Sequence, residues 1–471
     1  MGRNVVGQEG TFSAFNQRFY EAFDDATVFD CQDFNLLKVV QDGLKVRYGF
    51  RSYFGLPIML LKGLQFLKRG KSWLKGDSGL FNSFPPAGLA GRPYLLLDAG
   101  RSLMDEVGKP VSTYFNRILS TLGRENCILG MHYARESQIE YDFAGKDYYW
   151  HVHLIPLRKE GGGLYQDLCS TFARIREQTR FSAPELQQIK CAFQRFWESY
   201  RLWHVLISRL DPRVCYFVCH HHFEGLILAL NRTQVTAIEL QHGLIAEANI
   251  FYIYPPKVRH VVSRALFPDK IFVYGDFWKD RLLGGVEYSP DQVDVLGYYL
   301  HENHQENEAF AKYIATKAAG GKQVILVTTQ TDLHEYYIRY ITWLAHDVAN
   351  RQLKACIIVK THPSEDPSLY AQLNDLPQTE VIQANLDDVL RAADIQVSIY
   401  SATLYEACRF GLANFSLNVD ALADHVDAVV ASGVAVRLEI DQNPLDLMEK
   451  NRQTVNANYF FSVYQEDKLL A

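Results

Sequence analysis

Short runs of consecutive apolar residues, each followed by an amphipathic stretch, recur through this chain from residue 94 onward. PYLLLDAG (93–100), CILGMHY (127–133), VCYFVCH (214–220), VTAIEL (235–240), KIFVYG (270–275) and VDVLGYY (293–299) form a first series. QVILVTTQ (323–330), ACIIVKTHP (355–363), TEVIQA, DIQVSIYS and ANFSLNV form a second. A strand with one wet face alternates apolar and polar residues, whereas a continuous apolar run must be covered on both faces. Strands of that kind separated by helices predict parallel sheets sandwiched between helical layers. The intervening helices are expected over 111–122, 165–210 as one long helix, 223–230, 276–283, from after 330 to about 350, 386–393 and 403–410.

The two series divide near residue 300, at a polar stretch over 301–305 that reads as a linker. At 471 residues the chain is too long for one ordinary core, since domains average roughly 150 residues. The fold class expected is therefore α/β, with two Rossmann-like domains whose parallel sheets face a central cleft. The boundaries expected are a helical and irregular extension over 1–90, a first Rossmann-like domain over 91–300, a second over 306–440 and a helical tail over 441–471. Open parallel sheets bind ligands beyond the carboxyl ends of their strands, where the strand order reverses. A cleft between two such sheets is a common place for a small molecule.

A net charge of -6 argues against a general attraction to nucleic acid. The eight cysteines are scattered, with no CxxC and no short paired spacing, which is the pattern of reduced thiols and neither a disulfide framework nor a zinc site. The first 20 residues lack the apolar core of a secretory signal, and Val6 stands where a myristoylation motif needs Ser or Thr. No apolar run reaches the ~18 residues that cross a bilayer. These features predict a cytoplasmic protein with at most peripheral membrane contact. The segment that could make it is YFGLPIMLLKGLQFLKRGKSWLK (53–75), where Leu60, Leu64 and Leu67 share a helical face among five Lys and Arg. It reads either as an interfacial helix on anionic lipid or as a core-packed helix followed by a basic loop.

Candidate chemistry collects at the predicted strand ends. In ACIIVKTHP, Pro363 removes a backbone donor and ends the strand, leaving Lys360 and His362 at its mouth, where a lysine and an imidazole can meet a phosphate. Thr329 closes the preceding strand of the same block. The next element, Ser398-Ile-Tyr-Ser401-Ala-Thr403-Leu-Tyr-Glu406, reads as strand, polar turn and helix start, with Thr403 and Glu406 spaced as a capping box. Hydroxyls and unpaired amides there suit a phosphate; a cap needs no ligand.

In the first block, Glu239-Leu-Gln241-His242-Gly243 ends a strand and reads as a cleft turn, with Gly275 at the end of the next one. His220, His221 and His222 cannot all face one ion, because neighbouring residues point apart, so they read as a strand end with no metal site. Glu224 and Asp98 are the competing carboxylates for a general base, and His242 is the third catalytic candidate.

The run from VILVTTQ through VKTHP to LDDVLRAADIQVSIYSATLYEACRFG resembles the C-terminal half of GT-B enzymes that build bacterial capsules and lipopolysaccharide. It is similar to His-Pro-motif sialyltransferases, capsular Kdo transferases and CDP-glycerol glycerophosphotransferases. The acidic Asp/Glu-Asp/Glu-Gly signature of the sialyltransferases has no counterpart in this sequence. The resemblance spans roughly residues 235–471. It implies that His362 and Pro363, then Ser398, Ser401 and Thr403, hold the nucleotide phosphate, and that no metal or other cofactor is needed. The implied partners are a nucleotide-sugar donor and a glycan or lipid-linked glycan acceptor at the cytoplasmic face of the inner membrane. Glycosyl transfer is the leading expectation; the alternatives are a CDP-polyol phosphotransferase of teichoic-acid type, an NDP-sugar epimerase and a non-catalytic nucleotide- or glycan-binding protein.

Overall fold

A computed structural model describes residues 18–45, 88–99, 102–104, 109–131, 142, 163–245, 252–255, 258–259, 264–285, 288–300, 308–363, 365–448 and 455–469. The segment 53–75 and the 301–305 linker lie outside the described residues. Two six-stranded sheets form the frame, and every pairing within them is parallel. The first contains β1 (Tyr94–Asp98), β2 (Cys127–Met131), β3 (Val214–Phe217), β4 (Thr236–Leu240), β5 (Lys270–Val273) and β6 (Val293–Val295), in the spatial order β6-β5-β4-β3-β1-β2. The second contains β7 (Gln323–Thr328), β8 (Ala355–Lys360), β9 (Thr379–Ile382), β10 (Ile395–Ser398), β11 (Ala413–Leu417) and β12 (Val436–Leu438), in the order β9-β8-β7-β10-β11-β12. The expected pair of Rossmann-like α/β domains is what the chain forms. The strand order reverses between β1 and β3 in the first sheet and between β7 and β10 in the second, which fixes where a ligand crevice can open.

Helices follow in chain order: α1 (Leu37–Lys45), α2 (Asn116–Leu122), α3 (Gly163–Gln178), α4 (Ala183–Leu210), α5 (Glu224–Arg232), α6 (Asp276–Gly284), α7 (Glu308–Lys317), α8 (His334–Asn350), α9 (Leu386–Ala392), α10 (Ala402–Glu406), α11 (Ala423–Ala431) and α12 (Ala457–Phe460). Because strand side chains alternate between faces, each apolar run feeds two cores. Ile325 and Val327 of β7, with Ile357 and Val359 of β8, pack against Tyr337, Tyr340, Ile341, Leu344 and Val348 of α8. Their neighbours Val324, Leu326, Cys356 and Ile358 pack on the opposite face against Ile314 of α7 and Val389 and Leu390 of α9. In the first sheet Leu95, Leu97, Cys215 and Phe217 meet Trp203, Leu206, Ile207 and Leu210 of α4.

Two helix expectations are corrected. The stretch 165–210 is two helices, because Ser182 caps α4 and Glu185 returns the bond to the Ser182 backbone, with proline in the first turn. That capping box starts a helix afresh and breaks the one before it. The stretch 111–122 is helical only from Asn116; ahead of it Pro110–Ser112 pairs antiparallel with Ser102–Met104.

The described part of the tail, 455–469, returns to the first sheet. The Ser462 amide donates to Tyr274 O (2.8 Å), the Tyr298 amide to Ser462 O (2.9 Å) and the Gln465 amide to Leu296 O (2.8 Å). The Trp278 indole donates to Phe460 O and the Tyr216 hydroxyl to Leu469 O, each over buried surface. Phe460 also lies 5.8 Å from the ring of Tyr405 in the second domain. The tail is thereby a strap across both units. Among the described residues, no helix is long and apolar enough to cross a membrane.

Candidate functional site

The carboxyl ends of the two sheets meet. Tyr298, three residues past β6, donates its hydroxyl to Glu406 of α10 at 3.4 Å, and the Arg409 guanidinium stacks 4.4 Å over the same ring. Trp278 of α6 lies 5.1 Å from Tyr405. The segment that follows β10 therefore faces the groups that follow β5 and β6.

At the switch point of the second sheet, Thr328 and Thr403 hold their hydroxyls 2.7 Å apart, and the Gln396 amide donates to both. Ser398 is buried and donates to Thr328 O (2.7 Å), while the Tyr337 hydroxyl bonds Ser398 and receives the Ile399 amide. Thr329 donates to Glu365 and receives the His362 backbone N–H at 2.9 Å. This ties the Lys360-Thr361-His362 turn to the end of β7. His362 is half-buried and Pro363 exposed. The true cap of α10 is Ser401, whose hydroxyl accepts from the Thr403 amide, so the expected Thr403–Glu406 capping box is not formed. Released from a cap, Glu406 joins a charged cluster with Asp387, Arg409 and Lys360. Arg409 reaches both oxygens of buried Asp387 at 3.3 and 3.4 Å.

Burial, reinforced by the Asp387 charge, pushes the Glu406 carboxyl up to about 7, against the pull of Arg409, the Tyr298 hydroxyl and Lys360. Burial likewise holds the Lys360 amine below the usual lysine range, with Glu406 opposing. The consequence for stability has a definite sign. The folded state holds the Glu406 proton more tightly than the unfolded chain, whose carboxyl titrates near the ordinary 4.5, so stability declines as pH rises above about 4.5 and the decline is complete above about 7. Its size is up to about 3 kcal/mol. Urea unfolding at pH 5 and pH 8 should show a smaller difference for Glu406→Gln than for the parent. Equal differences in the two proteins would contradict the assignment.

In the first sheet, Glu239 is fully buried at the end of β4. Burial opposes its charge, but the His220 imidazole and the Tyr252 hydroxyl, which donates at 2.5 Å, outweigh it and hold the carboxyl below its usual range. Gln241 bridges two strand ends, donating to Gly243 O (2.9 Å) and accepting from the Tyr274 amide (2.9 Å), and its own carbonyl accepts from Tyr299. His242 is half-buried, its Nε2 2.8 Å from Cys219 Sγ. The three histidines are a 3-10 turn and not the end of a strand: Cys219 adopts φ +64°, which ends β3 and sends His220 inward to Glu239.

The remaining candidates have other neighbours. Asp98 is wholly buried and accepts from Ser112. Glu224 opens α5, buried, 3.8 Å from the buried Lys38 ammonium. Gly275 makes its close approach to the tail, since a Cβ there would lie 2.6 Å from Phe460 O. Among the described residues, no group of three or more His, Cys, Asp and Glu has the geometry to hold a metal ion. Cys219, Tyr252, Tyr298, Asp387 and Arg409 are site neighbours that the sequence motifs did not announce.

No family model and no curated protein matches the chain. Solved structures do. The chain is similar to the UDP-GlcNAc 2-epimerase of Methanocaldococcus jannaschii in complex with UDP-GlcNAc and UDP, at 12% identity over 80% of this chain and 98% of that one, with a TM-score of 0.47. It is similar to the UDP-GlcNAc 2-epimerase of Neisseria meningitidis bound to UDP-GlcNAc (12%, 80% and 98%, TM-score 0.46). A glycosyltransferase from Rickettsia africae is a further match (14%, 81% and 97%, TM-score 0.41).

Proposed function

We propose that this chain is a GT-B glycosyltransferase that moves a sugar from a nucleotide-sugar donor to a glycan acceptor. The donor lies on the second domain and the acceptor against the first. The observation that carries this reading is the polar cluster at the β7/β10 switch point, where Thr329, Lys360, His362, Ser401, Thr403 and Glu406 come together from three strand ends. Lys360 supplies positive charge for a diphosphate or monophosphate leaving group, and the threonine hydroxyls supply donors. Glu406, poised near neutrality, can accept from or donate to a ribose hydroxyl.

Across the junction, Asp98 and Glu224 are committed to Ser112 and Lys38, so the acceptor proton falls to the Cys219–His242 pair. Sugar transfer then needs no metal, because protein groups offset the charge that develops on the nucleotide.

Incubation with CMP-, UDP- and GDP-sugars, with and without short glycan acceptors, tests the reading. Glycosylated product with release of free nucleotide is expected. Conversion of the donor to an epimer without nucleotide release, or donor binding without any turnover, would overturn it. For the site itself, His362→Ala should weaken nucleotide affinity by about 1.5 to 3 kcal/mol, the worth of one hydrogen bond to a charged group. The thermal transition of the free protein should stay where it was. Nucleotide-induced thermal shifts measure this, since a ligand that binds only the folded state raises its stability by mass action. An unchanged shift would remove His362 from the site.

A further inference from the structure

Cys219 differs from the other thiols of the chain. Burial pushes up the thiols of Cys31, Cys127, Cys215, Cys356 and Cys408, which keeps them protonated and inert. Cys169 and Cys191 are exposed on helices α3 and α4. Cys219 alone among the described thiols is half-buried with an imidazole nitrogen at 2.8 Å, that of His242 on the neighbouring strand end. Cys219 and His242 each lie two residues past the ends of β3 and β4, whose parallel pairing runs to Phe217 and Glu239 and brings the two turns side by side.

The groups facing the pair are His221 on its own turn, with its ring 6.3 Å from His242; Tyr114, edge-on to His242 at 6.5 Å; and Glu239, Tyr252 and Tyr299 within electrostatic reach. Of these the fixed charge is Glu239, whose ionised form the His242 charge favours. The attraction is mutual, so a buried carboxylate behind the pair favours a protonated imidazole in front of the sulfur.

We propose that Cys219 and His242 form a thiolate–imidazolium pair, making Cys219 the modification site of this protein for soft electrophiles and peroxides. In the peroxide reaction the thiolate attacks one oxygen, an S–O bond forms and the O–O bond breaks. The departing hydroxide takes the His242 proton and leaves as water. Sulfur loses two electrons to become a sulfenic acid and the peroxide gains them. The pair at rest holds one proton and has room on sulfur for a second, so the inference is compatible with the acceptor-side role above without depending on it.

The test is iodoacetamide alkylation of the intact protein from pH 6.5 to 8.5, with each cysteine followed by peptide mass spectrometry. An ordinary thiol near 8.5 goes from roughly 1% to 50% thiolate over that span, and labelling that follows it climbs roughly 50-fold; the exposed Cys169 and Cys191 are the references against which Cys219 is read. A thiol already held as thiolate at the lower end has little left to gain, so Cys219 should change by less than about threefold. At pH 6.5 Cys219 should label several-fold faster than the exposed controls, the lower nucleophilicity of a weaker base offsetting only part of its thiolate excess. In His242→Gln the Cys219 profile should revert to that of the controls. Hydrogen peroxide at pH 7 should block Cys219 before Cys169 or Cys191, and dithiothreitol should reverse the block. A Cys219 profile in the parent protein that climbs in parallel with Cys169 and Cys191, or no labelling of Cys219 at all, overturns the proposal. So does a flat profile that survives His242→Gln. None of these readouts needs the proposed sugar transfer, so failure here and failure of that reading are separable.

Discussion

His242→Gln should lower the turnover of sugar transfer by roughly 10²- to 10⁴-fold, the usual worth of a positioned acid–base group. Glutamine is chosen because its amide can reach the place of Nε2 and keep a hydrogen bond to Cys219, while it cannot carry the positive charge that holds Cys219 as the proton-accepting thiolate. The proposed donor site is on the second domain, so nucleotide-induced thermal shifts of the variant should match those of the parent. The loss should appear in kcat with the donor KM little changed, which is the signature of a group that acts in the transition state and not in donor binding. Turnover within about threefold of the parent would move the proton-accepting role away from the Cys219–His242 pair. Asp98 and Glu224 would then have to be freed from Ser112 and Lys38 to supply it.

Much of the frame was legible in the sequence because the physical signal was local. VILVT, ACIIV and IQVS are buried over almost every residue, which is the pattern of a strand covered on both faces. The order β9-β8-β7-β10-β11-β12 was not legible, since these apolar runs differ too little for composition to decide which lies beside which. The strand, turn and helix start expected over 398–406 are what the chain forms, but the cap is Ser401 and not the Thr403–Glu406 box. Ser401 and Thr403 both suit an N-cap, and tertiary contacts decide between them: Thr403 is drawn to Thr328 and Gln396. Glu406 is drawn to Tyr298, 108 positions away. The missed partners share that feature. Lys38 bonds a carbonyl 228 positions on, and Cys219 meets His242 only because β3 and β4 pair. The histidine run misled for a backbone reason, as a left-handed residue that is not glycine is rare enough that a strand end was the better expectation.

Gly297→Ala should destabilise the folded protein by about 2 to 6 kcal/mol. Two costs add there. The residue adopts φ +88°, and a side chain in so sparsely populated a region costs on the order of 1 to 3 kcal/mol. A Cβ would also fall 2.2 Å from Val463 O and 2.7 Å from the Tyr464 Cα, an overlap with backbone that no rotamer can relieve. Overpacking of this kind typically costs about 1 to 3 kcal/mol. The tail must move to relieve it, and the bonds from Tyr298 to Ser462 and from Gln465 to Leu296 lie on either side of the contact. Movement there also withdraws Phe460 from Trp278 and Tyr405, the place where the strap touches both domains. Gly243→Ala is the control, since its Cβ would meet nothing within 4 Å and its stability should stay within about 0.5 kcal/mol of the parent. Urea denaturation of the three proteins decides the matter. Equal stability of Gly297→Ala and the parent would mean that the tail does not press on β6 in solution, and the strap would lose its part in holding the two domains together.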